Sequence, residues 1–272
     1  MKYRPEDLKH LQEVEIEILQ EIIRVCEENH ISYFTYAGTT LGLIRHQGFI
    51  PWDDDIDLGM MREDYNRFLK IAPKALKQGY FLQHYSTEPN SPTYHAKVRK
   101  DGTKFVEKYC KDINMHKGIF VDIMPFDYAP DNKKEREVYA KKVRRARNLF
   151  VSKCTPKVTM EKNKYKRALK QMLRSIVHIC LIPISKKYLF ERLEKIVQRY
   201  DSSPTKTIGT RGIAVDFYAY DDVFPLVNRR FENIEVSSPH TAEAVLVAGF
   251  GDWQQLPPKE KRYMHAPIEL SF

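Results

Sequence analysis

A chain of 272 residues with 42% hydrophobic and 12% aromatic side chains can bury a sizeable interior, as one large domain or a core with a smaller annex, which excludes wholesale disorder. The net charge of +9 is unevenly placed: residues 133–170 hold 15 Lys and Arg against 3 Glu, a local +12, so the rest sums to −3 and an anionic partner is expected along that segment. MKYRPEDLKHLQEVEIEI contains no apolar run, and the longest apolar stretch, residues 176–184, is broken by His178 and Pro183; neither a secretory signal nor a membrane-spanning helix is expected, and the predicted location is the cytoplasm, at most peripheral to the inner membrane face.

In chain order, Leu8, Leu11, Val14, Ile18, Ile22 and Val25 recur at helical spacing behind Pro5, Glu6 and Asp7, which predicts a helix of about six turns. ISYFTYA is aromatic and β-branched and predicts a strand that stops at Gly38, after which TLGLIRH suits a short helix. DIDLGM predicts a second strand, and REDYNRFLKIAPKALKQ a helix with Tyr65, Phe68, Leu69 and Ala72 on one face. YFLQHY, YHAKVRK, TKFVE and GIFVDIMPF are further strand candidates, separated by turn residues. From Asp131 to Tyr200 the pattern is helical and basic, and from Ser202 short strands (RRFENIEV) and a helix (HTAEAVLVAGF) return before GDWQQLPP.

This alternation predicts an α/β or α+β fold with a mixed sheet, divided into a core at 1–130, a basic helical insertion or second lobe at 131–203, and a segment at 204–272 packing back on the core. In YKRALKQMLRSIVHICLIPI, Leu169, Met172, Leu173, Ile176 and Cys180 share a helical face, with Lys166, Arg167, Lys170 and Arg174 away from it. Packing of that face on the core is the simpler expectation, and contact with an anionic membrane surface the alternative. Cys26, Cys110, Cys154 and Cys180 make no metal or redox spacing and are expected to be buried free thiols.

The chemistry concentrates in PWDDDIDLGM. On a strand Asp55 and Asp57 project to one side while Ile56 and Leu58 point to the other. Two carboxylates a few ångströms apart repel unless a cation or proton intervenes, and hard oxygen ligands suit Mg²⁺ or Mn²⁺. Asp122, alone in the apolar run GIFVDIMPF, is a candidate third ligand if its strand lies beside DIDLGM. A calcium loop is disfavoured, since Leu58 stands where glycine is needed and Asp64 where glutamate is needed. Gly38 and Thr39 place backbone N–H groups at a helix start, a favourable position for phosphate, although GTTLGLIRHQG is not a Walker loop.

Gly38-Thr39, Asp55-x-Asp57 and a later acid between apolar residues resemble the nucleotidyltransferase superfamily. The longer string GTTLGLIRHQGFIPWDDDIDLGMMREDYNRFL, with HAKVRK, GIFVDIMPFD, FENIEV and GDWQQLPP, resembles the LicD family. That resemblance implies a polymerase-β-like catalytic core with Asp55, Asp57 and Asp122 as catalytic metal ligands. It also implies transfer of phosphocholine from CDP-choline to a glycan precursor of teichoic acid or lipopolysaccharide type, the acceptor being lipid-linked, with no nucleic acid partner. Asp122 is then the expected proton acceptor, and Asp53 and Asp54 are turn-forming or supporting residues.

Lys97 and Arg99 alternate on YHAKVRK and suit a diphosphate, and Arg45 and His46 either meet phosphate or cap a helix. Trp52, Tyr218 and Trp253 are the aromatic candidates for a quaternary ammonium, each with a core role as its alternative. Arg262 and His265 return a basic end towards the site or lie in a packed tail. Two rival functions use the same sequence: nucleotide transfer to a sugar, small molecule or RNA, and noncatalytic binding of nucleic acid or anionic glycan through residues 133–170.

Overall fold

Alternate residues of the central strand β6 (Phe120–Ala129) face different surroundings, and this alternation organises the molecule. Val121 and Ile123 enter an apolar cluster beneath helices α1 (Pro5–Glu28) and α3 (Arg62–Ala75), together with Ile56, Leu58, Met60 and Val98. Met124 and Phe126 pack on the opposite face with Phe34, Tyr36, Ile208 and Tyr218. The computed structural model describes residues 3–155, 157, 161, 163–210, 216–258, 260, 262 and 265–272.

The sheet has seven strands, ordered β1 (Phe34–Thr35), β2 (Asp57–Met61), β6, β4 (Ala96–Lys100) and β3 (Tyr80–Gln83), with β7 (Thr207–Thr210) on the second half of β6 and β8 (Asp216–Ala219) on β7. β2 and β6 are parallel and the other pairings antiparallel, so the sheet is mixed. Outside it, β5 (Lys104–Val106) pairs with β11 (Glu269–Ser271), and β9 (Val227–Phe231) forms a hairpin with β10 (Ile234–Ser238). The segment after residue 204 thus supplies two strands of the main sheet. The predicted strand at 31–37 makes only a two-residue ladder, because helix α2 (Ala37–His46) begins at once and takes Arg45 and His46 into its last turn.

The basic segment forms α4 (Lys133–Cys154), α5 (Lys164–Cys180) and α6 (Lys186–Val197). Asn132, Asn163 and Ser185 cap their first N–H groups, which fixes where each begins. Tyr139, Val143 and Phe150 of α4 pack with Leu189, Leu193 and Val197 of α6 and with Ala129 at the end of β6. Arg62 fastens this cluster to the sheet, donating from Nε and Nη2 to Asp127 at 2.5 and 2.8 Å and from Nη1 to Glu194 at 3.0 Å. Two expectations fail here. α5 buries none of its residues, so its apolar face does not pack on the core, and Cys180 at its end is exposed while Cys26 and Cys110 are buried.

Candidate active site

Backbone contacts fix Asp57 from two sides. Its N–H donates to Thr39 Oγ1 at 2.8 Å, and its carbonyl accepts from Tyr36 N–H at 3.0 Å. Asp122 N–H donates to Ile56 O at 2.9 Å, which locks β6 beside β2 in the register that makes Asp57 and Asp122 direct partners. Asp55 lies just before β2, close enough for its charge to raise the pKa of Asp57, and the regular strand begins two residues later than the sequence suggests. Close approach requires glycine: a β-carbon at Gly38 would lie 2.8 Å from Asp53 Oδ2, and one at Gly42 would lie 2.4 Å from Gly48 O.

The carboxylates are compensated unequally. Asp122 sits 2.9 Å from Lys97 Nζ and 3.0 Å from His95 Nε2. Burial alone would raise its pKa, but Lys97 and then His95 hold it below the usual carboxylate range. Asp55 pairs with His265 Nδ1 at 3.1 Å, while Asp54, fully buried, accepts from Tyr3 Oη at 2.7 Å and from His265 N–H at 2.8 Å. Hydrogen bonds to Asp54 and Asp55 push His265 up to about 11. Asp57 is different: among the described residues its carboxylate makes no hydrogen bond or ion pair, and burial followed by Asp55, Asp122 and Asp53 raises its pKa well above the ordinary value. Burial and the charges of Asp55 and Asp54 likewise lift Asp53 to about 8.

Asp57 and Asp122 are register partners, and Asp57 makes no ion pair among the described residues, a set of hard oxygen donors of the kind that Mg²⁺ or Mn²⁺ takes. Asp54, Asp55 and His265 also offer ligand atoms within 4.8 Å of one another. They suit a metal less well, because a histidine held protonated has no lone pair to give.

The other predicted residues divide. Lys97 is at the acids, with its ammonium also 3.3 Å from the centre of the Phe120 ring. Arg99 is not: it is fully buried and donates to Gln83 Oε1 at 2.8 Å and Gly118 O at 2.5 Å, because β4 is covered on both edges. Thr39 is nearly buried, and its N–H returns to Tyr36 O at 3.1 Å, so it positions Asp57 rather than offering that N–H to a phosphate. Trp52 stands next to the acids in sequence and carries the Arg262 guanidinium 4.2 Å from its ring centre. Trp253 packs with Trp52 around Leu41, Ile50 and Leu246, and its carbonyl accepts from Arg45 Nη1 at 2.7 Å. Tyr218 is core, stacked on Phe126 below the site.

Sequence reasoning missed His95 and Glu15. His95 shares strand parity with Lys97, which was a usable signal. Glu15 interrupts the buried stripe of α1 four residues after Leu11; among the described residues its Oε2 has no hydrogen-bond partner, and burial, then Asp55 and Asp54, raise its pKa well above normal.

Residues 30–171 match the family model described as LicD/FKTN/FKRP, nucleotidyltransferase domain. Along 271 residues, 95% of each chain, the protein is 28% identical to lipopolysaccharide cholinephosphotransferase LicD of Haemophilus influenzae. Two uncharacterized proteins of Rickettsia typhi and Rickettsia prowazekii match over 68 residues at 40% and 37% identity, covering 25% of this chain and 22% and 26% of theirs.

Proposed function

The chain belongs to the LicD/FKTN/FKRP nucleotidyltransferase-domain family, and from that premise we propose that it transfers phosphocholine from CDP-choline to a hydroxyl of a glycan precursor, of lipopolysaccharide or teichoic acid type, releasing CMP. The observation that carries the reading is the register pairing of Asp57 with Asp122, with the charge of Asp55 acting on Asp57. Likeness along 95% of both chains to a cholinephosphotransferase supports the choice of group. On this reading the mixed sheet is a polymerase-β-like core working at the cytoplasmic face of the membrane. Among the described residues no helix is long and apolar enough to cross a bilayer.

In the reaction an acceptor oxygen attacks the phosphorus that bears choline. The bond from that phosphorus to the bridging oxygen breaks, and CMP leaves with the bridging oxygen. Asp55, Asp57 and Asp122 would hold Mg²⁺ or Mn²⁺, which when bound neutralises the donor diphosphate and the charge growing on CMP. A carboxylate of this group, Asp122 on the sequence expectation, takes the acceptor proton. Lys97 remains near the transferring phosphate as a fixed positive charge. Trp52, whose ring already accommodates a guanidinium, is the aromatic face suited to the quaternary ammonium.

Purified protein incubated with Mg²⁺ and a panel of CDP-alcohols, with and without lipid-linked glycan, tests this directly. CMP release with CDP-choline, and phosphocholine on the acceptor, are expected. An acceptor labelled with the nucleotide would establish the rival nucleotidyl transfer instead.

A further inference from the structure

α5 is turned inside out relative to an ordinary surface helix. Successive residues advance by about 100°, so Gln171, Arg174, Ser175 and His178 form one stripe, and Leu169, Met172, Leu173, Ile176 and Ile179 form another on the opposite side. The polar stripe is the half-buried one. His178 Nδ1 lies 3.0 Å from Ser152 O and Arg174 Nη1 donates to Thr155 O at 3.3 Å, so the helix is fastened to the end of α4 by its hydrophilic side. The apolar stripe faces outward: Leu169, Met172, Leu173, Ile176 and Ile179 are 52–62% exposed, and Ile182, just past the helix, is likewise exposed.

Water is a poor neighbour for such a row, and the charges beside it select what covers it. α5 carries Lys164, Lys166, Arg167, Lys170 and Arg174 and no acid, within a segment whose local charge is strongly positive. Among the described residues, Lys170 is the one cation of α5 that finds a carboxylate, pairing with Glu161 at 2.5 Å. A two-fold contact with a second copy would bring two acid-free cationic helices together, with nothing on either to neutralise the other. An anionic bilayer surface satisfies both features: acyl chains receive the leucine and isoleucine side chains, while lysines bordering the stripe extend to acidic headgroups.

The geometry points to α5 as a docking helix that lies in the interfacial plane of an anionic lipid membrane. The full chain is mixed with vesicles of phosphatidylcholine alone, or of phosphatidylcholine with phosphatidylglycerol, and bound protein is measured by flotation. The chain floats with the phosphatidylglycerol vesicles, less so as salt rises, and not with phosphatidylcholine alone. The double substitution Leu173→Glu and Ile176→Glu lowers partitioning at least tenfold and leaves the thermal melt unchanged, because both side chains are exposed. Three results would overturn the assignment: no flotation of the unmodified chain, flotation of the double variant equal to it, or a sedimentation dimer that the double variant converts to monomer. No donor or acceptor enters this assay, so its outcome is independent of the transferase reading.

Discussion

The strand pair β2–β6 ends in buried charge at both ends, and the two ends are built in opposite ways. At one, Arg62 makes a two-pronged contact with Asp127 and a third bond to Glu194, so a buried cation meets two acids and joins sheet to helices. At the other, five residues back along each strand and about 16 Å away, Asp57 faces Asp122 amid Asp53, Asp55 and Glu15. There the described cations, Lys97, His95 and His265, make their ion pairs with Asp122 and Asp55 and none with Asp57. Paired charge holds architecture together. Unpaired charge at a fixed position stores repulsion that a ligand can relieve, which is the signature of a site.

Substitutions should separate the two ends. Asp57→Asn is expected to lower phosphocholine transfer by ~10³-fold or more, the scale on which loss of a transition-state charge stabiliser acts; normal turnover would remove Asp57 from the mechanism. Arg62→Met should instead reduce folding stability by about 3–5 kcal/mol, because it strands two acids next to the core. Urea denaturation measures that loss, and a change below about 1 kcal/mol would show that the clamp is dispensable. Thr39→Val lies between the ends in kind. It deprives Asp57 N–H of its acceptor and should cost about 1–3 kcal/mol, with a fall in kcat larger than any change in KM for the donor.

The smallest effect concerns Asp201, whose carboxylate accepts from Tyr128 N–H at 3.1 Å beside Asp127. Burial and then Asp127 push it up to about 7. The folded chain therefore holds this proton more tightly than the unfolded chain, so the associated stability is fully present below about pH 4 and is lost as pH rises to about 7. Asp201→Asn should remove that descending component. Parallel pH–stability curves for the two proteins over this window would contradict the assignment.

Much of this contrast was legible in the chain. The alternation in DIDLGM and GIFVDIMPF puts Asp55, Asp57 and Asp122 on polar faces of otherwise apolar strands, and the glycines around α2 mark a tight approach. What strand alternation cannot supply is what covers a strand. YHAKVRK reads as a strand offering Lys97 and Arg99 together to a diphosphate, yet β3 and β6 flank it, and Arg99 is an internal brace while His95 is a partner of Asp122. Periodicity likewise defines the stripes of α5 but not which of them faces the protein; hydrogen bonds from Arg174 and His178 to α4 and its cap decide that. The pairing of β7 with β6 joins residues some 80 positions apart, beyond any local pattern, and β8 enters the sheet only through β7.

Urea unfolding of the unmodified chain and of Asp57→Asn, each with and without Mg²⁺, addresses the claim that this end of the sheet is a cation site. Without metal the variant should be at least as stable as the unmodified chain, since a repelling charge is gone, and Mg²⁺ should stabilise the unmodified chain alone. A variant destabilised as strongly as Arg62→Met, with no response of the unmodified chain to Mg²⁺, would make Asp57 a structural residue and contradict the account.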